Sequence, residues 1–531
     1  MYNTLWYKNA VFYELSVRAF HDSNGDGHGD VRGLIQKLDY LQTLGVDCLW
    51  LMPIYPSPLR DDGYDIADYY NIDKTFGSMD DLKELVDAAH ARNMRIVMDL
   101  VLNHTSDEHP WFIASRSDRN SPYRDYYVWS DTDQKYKDTR IIFLDTEPSN
   151  WTWDEKTGQY YWHRFYASQP DLNFDNPEVQ DEMIHVAGFW LDLGIDGFRA
   201  DAVPYLFERE GTNCENLSET HEYLKKLRAF VDKNYPDRIL LCEANQLPED
   251  IRPYFGDGDE FHMGFHFPIM PRIYMALKKG HAKDLIEIMN RMPSIPENCQ
   301  WCIFLRNHDE LTLEMVTPEE REWMWQQYAP DPRMKTNLGI RRRLAPLLDN
   351  DRRKIELANS LLFSLQGSPI IYYGDEIGMG DNLDLPDRNG VRTPMQWDDS
   401  PNAGFSSGKP YSELVKGELD YRHVNVASQL ADKDSLFHSI RQMIVARKEH
   451  TALGRGNMIW LETSNPFVAA YIRQYADDSL LILNNLSSSI QVIKLPVEYH
   501  GTYIDLLGGV AFAVKGNISL PPLSFLWLLE Q

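Results

Sequence analysis

RIVMDLVLNH (95–104) is a short apolar run that passes directly into polar residues, and three other stretches repeat the pattern: IDGFRAD (195–201), RILLCEANQ (238–246) and WCIFLRNHDE (301–310). Runs of this length bounded by polar residues read as buried strands. Outward from these four, AVFYEL (10–15), DCLWLM (47–52), FHMGF (261–265) and PIIYY (369–373) complete a set of eight. Between them lie helical patterns such as VRGLIQKLDYLQTLG (31–45) and MDDLKELVDAAHARN (79–93), with apolar residues recurring at three and four. Alternating strand and helix implies parallel strands joined by right-handed crossovers. Eight such units predict an α/β fold, the TIM (β/α)8 barrel.

Three stretches break the rhythm. Residues 105–172 are long, aromatic and polar, as in YRDYYVWSDTDQKYKDTR (123–140), and read as a small domain inserted after the third strand. Residues 312–350 read as a charged helical insertion covering the barrel. Beyond the helix LFHSIRQMIVARKEH (436–450), FVAAYIR, SLLILNNL, IQVIKL and FLWLLE predict a C-terminal antiparallel β-sandwich. The expected domains are a barrel (1–104 and 173–452), the insertion (105–172) and the sandwich (453–531).

The 531 residues carry a formal net charge of −27, which argues against nucleic acid or an anionic membrane as partner. No apolar run approaches the roughly 20 residues of a membrane span. MYNTLWYKNAVFYEL lacks the layout of a signal peptide, so a cytoplasmic location is expected. The five scattered cysteines agree. Cys299 and Cys302 form a CxxC without a second pair to complete a zinc set, and packing is the simpler reading. No phosphate-binding loop, Ser-His-Asp set or organic-cofactor fingerprint is present.

Barrel enzymes place their chemistry at the C-terminal strand ends. Here those ends carry Asp99, Asn103 and His104; Arg199 and Asp201; Glu243; and Asn307, His308 and Asp309. A single acid at such a place is usually a helix cap or an ion-pair partner. Acids at four strand ends, with His beside two of them, are more than capping requires. Arg199, two residues before Asp201, lies on the same side of the strand and is expected to keep that carboxylate ionised. Glu243 follows Leu240, Leu241 and Cys242 with no adjacent cation, which suits a raised pKa and an acid role.

In order and spacing these segments resemble the α-amylase superfamily over nearly the whole chain. QPDLN (169–173), GYDIADY (63–69) and RTPMQW (392–397) resemble its oligo-1,6-glucosidase-like branch. The resemblance implies a retaining enzyme with Asp201 as nucleophile, Glu243 as general acid/base and Asp309 as transition-state stabiliser. It places Tyr64, His104, His308 and Gln169 near a bound glucosyl ring and pairs Asp61 with Arg392 at the pocket floor. The loop DSNGDGHGD (22–30) resembles the family's structural calcium site, with oxygens from Asp22, Asn24, Asp26, Asp30 and the His28 backbone. A solvated acidic turn is the plainer alternative. Asn103 and Asp171 match ligands of a second calcium site, to which Glu208 and the backbones of Tyr205 and Leu206 could contribute.

ADAVPYLFEREGTNCENLSETH (200–221) and RNHDELTLEMVTPEER (306–321) closely resemble bacterial trehalose synthases, implying interconversion of maltose and trehalose with some hydrolysis to glucose. The alternatives are an α-glucosidase and a non-catalytic transporter-associated relative, which would have lost the carboxylates. A disaccharide is the expected partner, with a homo-oligomer possible. Tyr161, Trp162 and Phe165 either cover the pocket mouth or only pack the inserted domain, and Glu310 and Glu314 are placed to bond the sugar or Tyr205.

Overall fold

The computed structural model describes residues 5–531; residues 1–4, the start of the expected barrel range, lie outside them. Eight parallel strands close a barrel: β1 (Phe12–Leu15), β2 (Cys48–Leu51), β3 (Arg95–Val101), β4 (Gly197–Asp201), β5 (Ile239–Cys242), β6 (Met263–Phe265), β7 (Gln300–Phe304) and β8 (Ser368–Tyr372). Each pairs with its sequence neighbours, and β8 closes on β1. Every residue of β1, β2, β4, β5, β7 and β8 is buried. Helices cover one face of each strand and barrel side chains fill the other, so apolar residues dominate. Glu14, Arg199 and Asp201 stand out for that reason.

The expected helices form at Val31–Leu44 and Met79–His90. Asp30 caps the first by accepting Gly33 N–H at 2.6 Å, and Ser78 with Asp81 forms a capping box on the second. Within 105–172 lie a helix, Pro110–Ser117, and a three-stranded antiparallel sheet of Trp129–Ser130, Gln159–Trp162 and Trp151–Asp154. Two isolated bridges, His104 to Asp171 and Tyr127 to Leu172, close its base.

The 312–350 insertion is not purely helical. One capped helix, Pro318–Tyr328, is joined by a small antiparallel sheet of Leu311–Thr312, Gly339–Ile340 and Lys335–Thr336. Strands of two residues are too short for an alternating pattern to show. The C-terminal region holds a six-stranded and a two-stranded antiparallel sheet. Besides the four expected strands it contains Asn457–Trp460, Gly501–Asp505, Ala511–Val514 and Asn517–Leu520, each only four or five residues long. It is bolted to the barrel helix Arg352–Ser364: Ser360 bonds Asn484 and Trp527, and Arg473 donates to the carbonyls of Ser364 and Leu365.

All five cysteines are buried and unpaired. Among the described residues, no helix is long and apolar enough to cross a membrane.

Gly197 opens β4 at φ +154°, and a Cβ there would lie 2.3 Å from the Ile239 carbonyl oxygen of β5. Gly197→Ala should cost about 1–3 kcal/mol, the usual penalty for overpacking. Calorimetry should show a lower melting temperature; an unchanged value would mean that β4 and β5 separate freely.

Candidate active site

One arginine organises the strand ends. Arg199 is only 1% exposed, and its Nη1 donates to Asp99 at 2.6 Å and to Asp201, while Nη2 pairs with Glu243. Asp99 also accepts the Trp50 indole N–H at 2.8 Å, and Trp50 and Tyr64 offer their ring faces to the guanidinium.

Arg199 thus reaches Asp201 as expected and two further carboxylates besides, which corrects the expectation that Glu243 lacks a cation. Glu243 follows β5 directly, and the barrel's curvature brings it to the same guanidinium. Three carboxylates thus face one cation in a buried space, and like charges so placed cannot all ionise. Burial pushes Glu243 up; Arg199 pulls it down, but Asp201 and Asp309 add to the rise, leaving it at about 8. Burial also raises Asp201 from its ordinary value, against the pull of Arg199.

Asp309 is the opposite case. Burial opposes its charge, but His308, Arg388 and Arg392 outweigh that and hold it well below the ordinary value. Arg388 lies 2.6 Å from Asp309 and 2.7 Å from Asp61, and Arg392 lies 3.0 Å from Asp309. The expected Asp61–Arg392 pair is therefore corrected. Arg388 holds Asp61, whereas Arg392 turns to Asp309 and, at 3.6 Å, to Asp62. Both arginines belong to the turn DRNGVR (387–392), and only the second sits in the motif that drew attention to it. Gln169 stands behind this floor, donating to Asp61 at 2.9 Å.

Asp61, Tyr64, His104, Phe165, Asp201, Tyr205, Glu243, His308, Asp309, Glu310 and Glu314 line one pocket, with Phe143 and Asn245 added to the expected set. The Tyr64 ring lies stacked on His308, with centroids 5.1 Å apart. Tyr64 Oη and His104 Nε2 are buried without a protein partner, so both remain available to ligand hydroxyls. Burial lowers His104 to about 4, which keeps it neutral.

At the mouth, Arg140 of the inserted segment donates to Glu215 at 2.8 Å, Glu314 at 3.1 Å and Tyr205 Oη at 3.3 Å. Glu314 accepts also from Asn245 at 3.1 Å. Glu314 and Tyr205 thus meet through Arg140 rather than directly, and Glu310 turns to Asn337 at 3.3 Å. Of the three aromatics expected at the mouth, only Phe165 lines the pocket. Tyr161 packs on Phe112 and Trp129, and Trp162 on Tyr136 and Trp151, inside the inserted segment.

In the 22–30 loop, Asp22 accepts the amides of Asn24, Gly25 and Gly27 and the Ser406 hydroxyl. Asn24 and Asp26 accept from Asp26 and His28, and Asp30 from Ser23 and Gly33. The second set differs: Asn103 Oδ1, Asp171 Oδ2 and Glu208 Oε1 are buried with no partner. Burial lifts Asp171 to about 8 and Glu208 well above its ordinary value. Buried acceptors left unpaired in this way suit a cation of oxygen-ligand chemistry.

The "Alpha amylase, catalytic domain" family model matches residues 15–328 and 322–456, and the "Maltogenic Amylase, C-terminal domain" model matches 458–527. The trehalose synthase of Pimelobacter sp. is 57% identical over 97% of this chain and 93% of its own length. The trehalose synthase/amylase TreS of Mycobacterium tuberculosis is 56% identical over 98% and 90%. This chain belongs to the α-amylase family, among its trehalose synthases. The oligo-1,6-glucosidase of Bacillus cereus is more distant, 32% identical over 94% of each chain. Among solved structures, the isomaltulose synthase of Klebsiella sp. superposes with a TM-score of 0.81 at 29% identity, covering 99% of each chain. A mutant of the trehalulose synthase MutB, another such relative, has been solved in complex with the substrate sucrose.

In this trehalose synthase site, Arg388→Met would leave Asp61 and Asp309 facing each other without their shared cation. The Asp309 pKa should rise, so the acid limb of the kcat/KM profile should move upward by about one pH unit. Breaking the buried pair should also cost about 3–5 kcal/mol of stability. A profile superimposable on the native one would mean that Arg388 does not set the charge of Asp309.

Proposed function

We propose that the chain isomerises maltose to trehalose by two displacements at one anomeric carbon, with release of glucose as a minor side reaction. The observation that carries this reading is a pocket lined by Asp201, Glu243 and Asp309 whose mouth is spanned by the bonded set Arg140, Tyr205, Glu314 and Asn245. Asp201 attacks the anomeric carbon while Glu243 gives its proton to the departing glycosidic oxygen. The freed glucose turns beneath the roof of Arg140, Tyr205, Glu314 and Asn245. Glu243, now a carboxylate, takes the proton from its anomeric hydroxyl, and that oxygen displaces Asp201 to form the α,α-1,1 bond. Asp309, held ionised, offsets the positive charge that develops on the ring. Tyr64, His104 and His308 contact the glucosyl hydroxyls.

Hydrolysis is the second reading, favoured by a mouth that water can reach when the roof parts; one relative is described as trehalose synthase/amylase. Asn103, Asp171 and Glu208, with the Tyr205 and Leu206 backbone oxygens, would hold a calcium ion, as would Asp22, Asn24, Asp26, Asp30 and the His28 carbonyl. Calcium would supply charge neutralisation and bracing at these places. A barrel of 1–104 and 173–452, an insertion of 105–172 and a C-terminal domain of 453–531 remain our reading of the boundaries. The unpaired cysteines support a cytoplasmic setting.

Asp201→Asn and Glu243→Gln should each lower turnover of maltose by several orders of magnitude, on the scale of losing a nucleophile or acid. With α-glucosyl fluoride the first step should recover partly in Glu243→Gln alone; recovery in Asp201→Asn alone would reverse the roles. Maltose turned over with labelled free glucose should give trehalose carrying little label, and Arg140→Ala should shift product toward glucose. Heavy labelling by the native chain would defeat the intramolecular route.

Chelation should lower the melting temperature more than the initial rate, by the mass-action loss of a ligand bound only to the native state. An immediate loss of rate with unchanged melting would move the metal into the chemistry.

A further inference from the structure

Glu14 is a buried carboxylate that the proposed mechanism leaves unused. It sits on β1, is 0% exposed, and meets the ring nitrogen of His308 opposite the one that meets Asp309, which lines the pocket. Its Oε1 accepts the His308 backbone N–H at 3.2 Å and lies 2.5 Å from His308 Nδ1. Across the ring, His308 Nε2 is 3.2 Å from Asp309 Oδ2. The imidazole is thus held between two carboxylate oxygens, one on each nitrogen. A neutral ring has only one N–H, whereas an imidazolium donates to both sides. Tyr64 stacks on one face and Trp50 meets the ring edge-on, so neither replaces a carboxylate as a partner.

We propose that Glu14 is a positioning residue that fixes His308 as a doubly donating imidazolium, which in turn aims Asp309 and keeps it ionised. This rests on the reading of His308 and Asp309 as groups that contact the reacting sugar. The charges around the ring are accounted for. Asp309 and Glu14 pair with its two nitrogens, Asp99 and Glu243 are the other carboxyls beside it, Glu243 keeping its proton up to about 8, and Arg392 reaches only its backbone carbonyl, at 2.8 Å. Burial alone would lower His308, but Asp309 and Glu14 outweigh it and raise the ring to about 10. A raised imidazole keeps its charge below the folded pKa and loses it as pH climbs through that value. Removing the charge of Glu14 brings that loss down toward neutral pH.

The test is kcat/KM against pH for α-glucosyl fluoride, whose leaving group needs little protonation, so the limb set by Glu243 drops out of the first step. The native chain should hold level to about pH 9. Glu14→Gln keeps the shape and an acceptor for Nδ1–H but loses the charge. It should gain an alkaline limb at least about one unit lower and lose about tenfold by pH 9. Glu14→Asp keeps the charge on a shorter arm and should lower the rate without that limb; it also serves if the glutamine variant fails to fold. A Glu14→Gln profile parallel to the native one, with only melting lowered, overturns the proposal when His308→Asn is impaired. If His308→Asn is as active as the native chain, the sugar-contact reading falls as well.

Discussion

A single guanidinium enclosed by the barrel sets the terms for everything around it. Arg199 cannot leave its place, because β4 is buried on both faces and Asp99 of β3 lies directly across from it. Three carboxylates gather on it, more than its charge can neutralise, so the excess is met by a stored proton. That proton is what an acid needs in order to protonate a departing sugar. Asp99 is the quiet member of the group: raised by burial to about 6, tied to Trp50 and Arg199, it steadies the cation and faces no ligand.

Floor and roof solve different problems with the same chemistry. At the floor, Arg388, Arg392 and His308 surplus positive charge around Asp309, so that carboxylate never needs a proton. At the roof, Arg140 faces two glutamates and a tyrosine hydroxyl, and the segments it joins come from different parts of the chain. The contrast between protonated Glu243 and ionised Asp309 comes from the number of cations each shares, not from exposure.

The barrel was legible because its strands are apolar runs ending in charge, and all eight appear within a few residues of where RIVMDLV, RILLCE and their partners suggest. The pocket residues were legible as motifs. Partner choice was not. Arg388 and Arg392 are four apart in one turn, and only the turn's geometry decides which reaches Asp61. Arg140 lies at the end of a polar stretch with no periodicity, so nothing local marks it as the link between Glu215, Glu314 and Tyr205. Glu14 is a lone acid in an apolar strand, and its meaning depends on His308, which is far away in sequence. The short strands at 311–312, 335–336 and 339–340 are likewise products of tertiary contact.

The roof and the floor also differ in how they meet the solvent. Arg140 keeps 37% of its side chain exposed, whereas Arg388 keeps 6%. Dissolved ions screen exposed pairs and scarcely touch buried ones. On the proposed reading, the ionic strength of the surroundings acts on how long a loosened glucose is confined while leaving bond breaking alone. The partition between disaccharide and monosaccharide then becomes a property of the medium as well as of the enzyme.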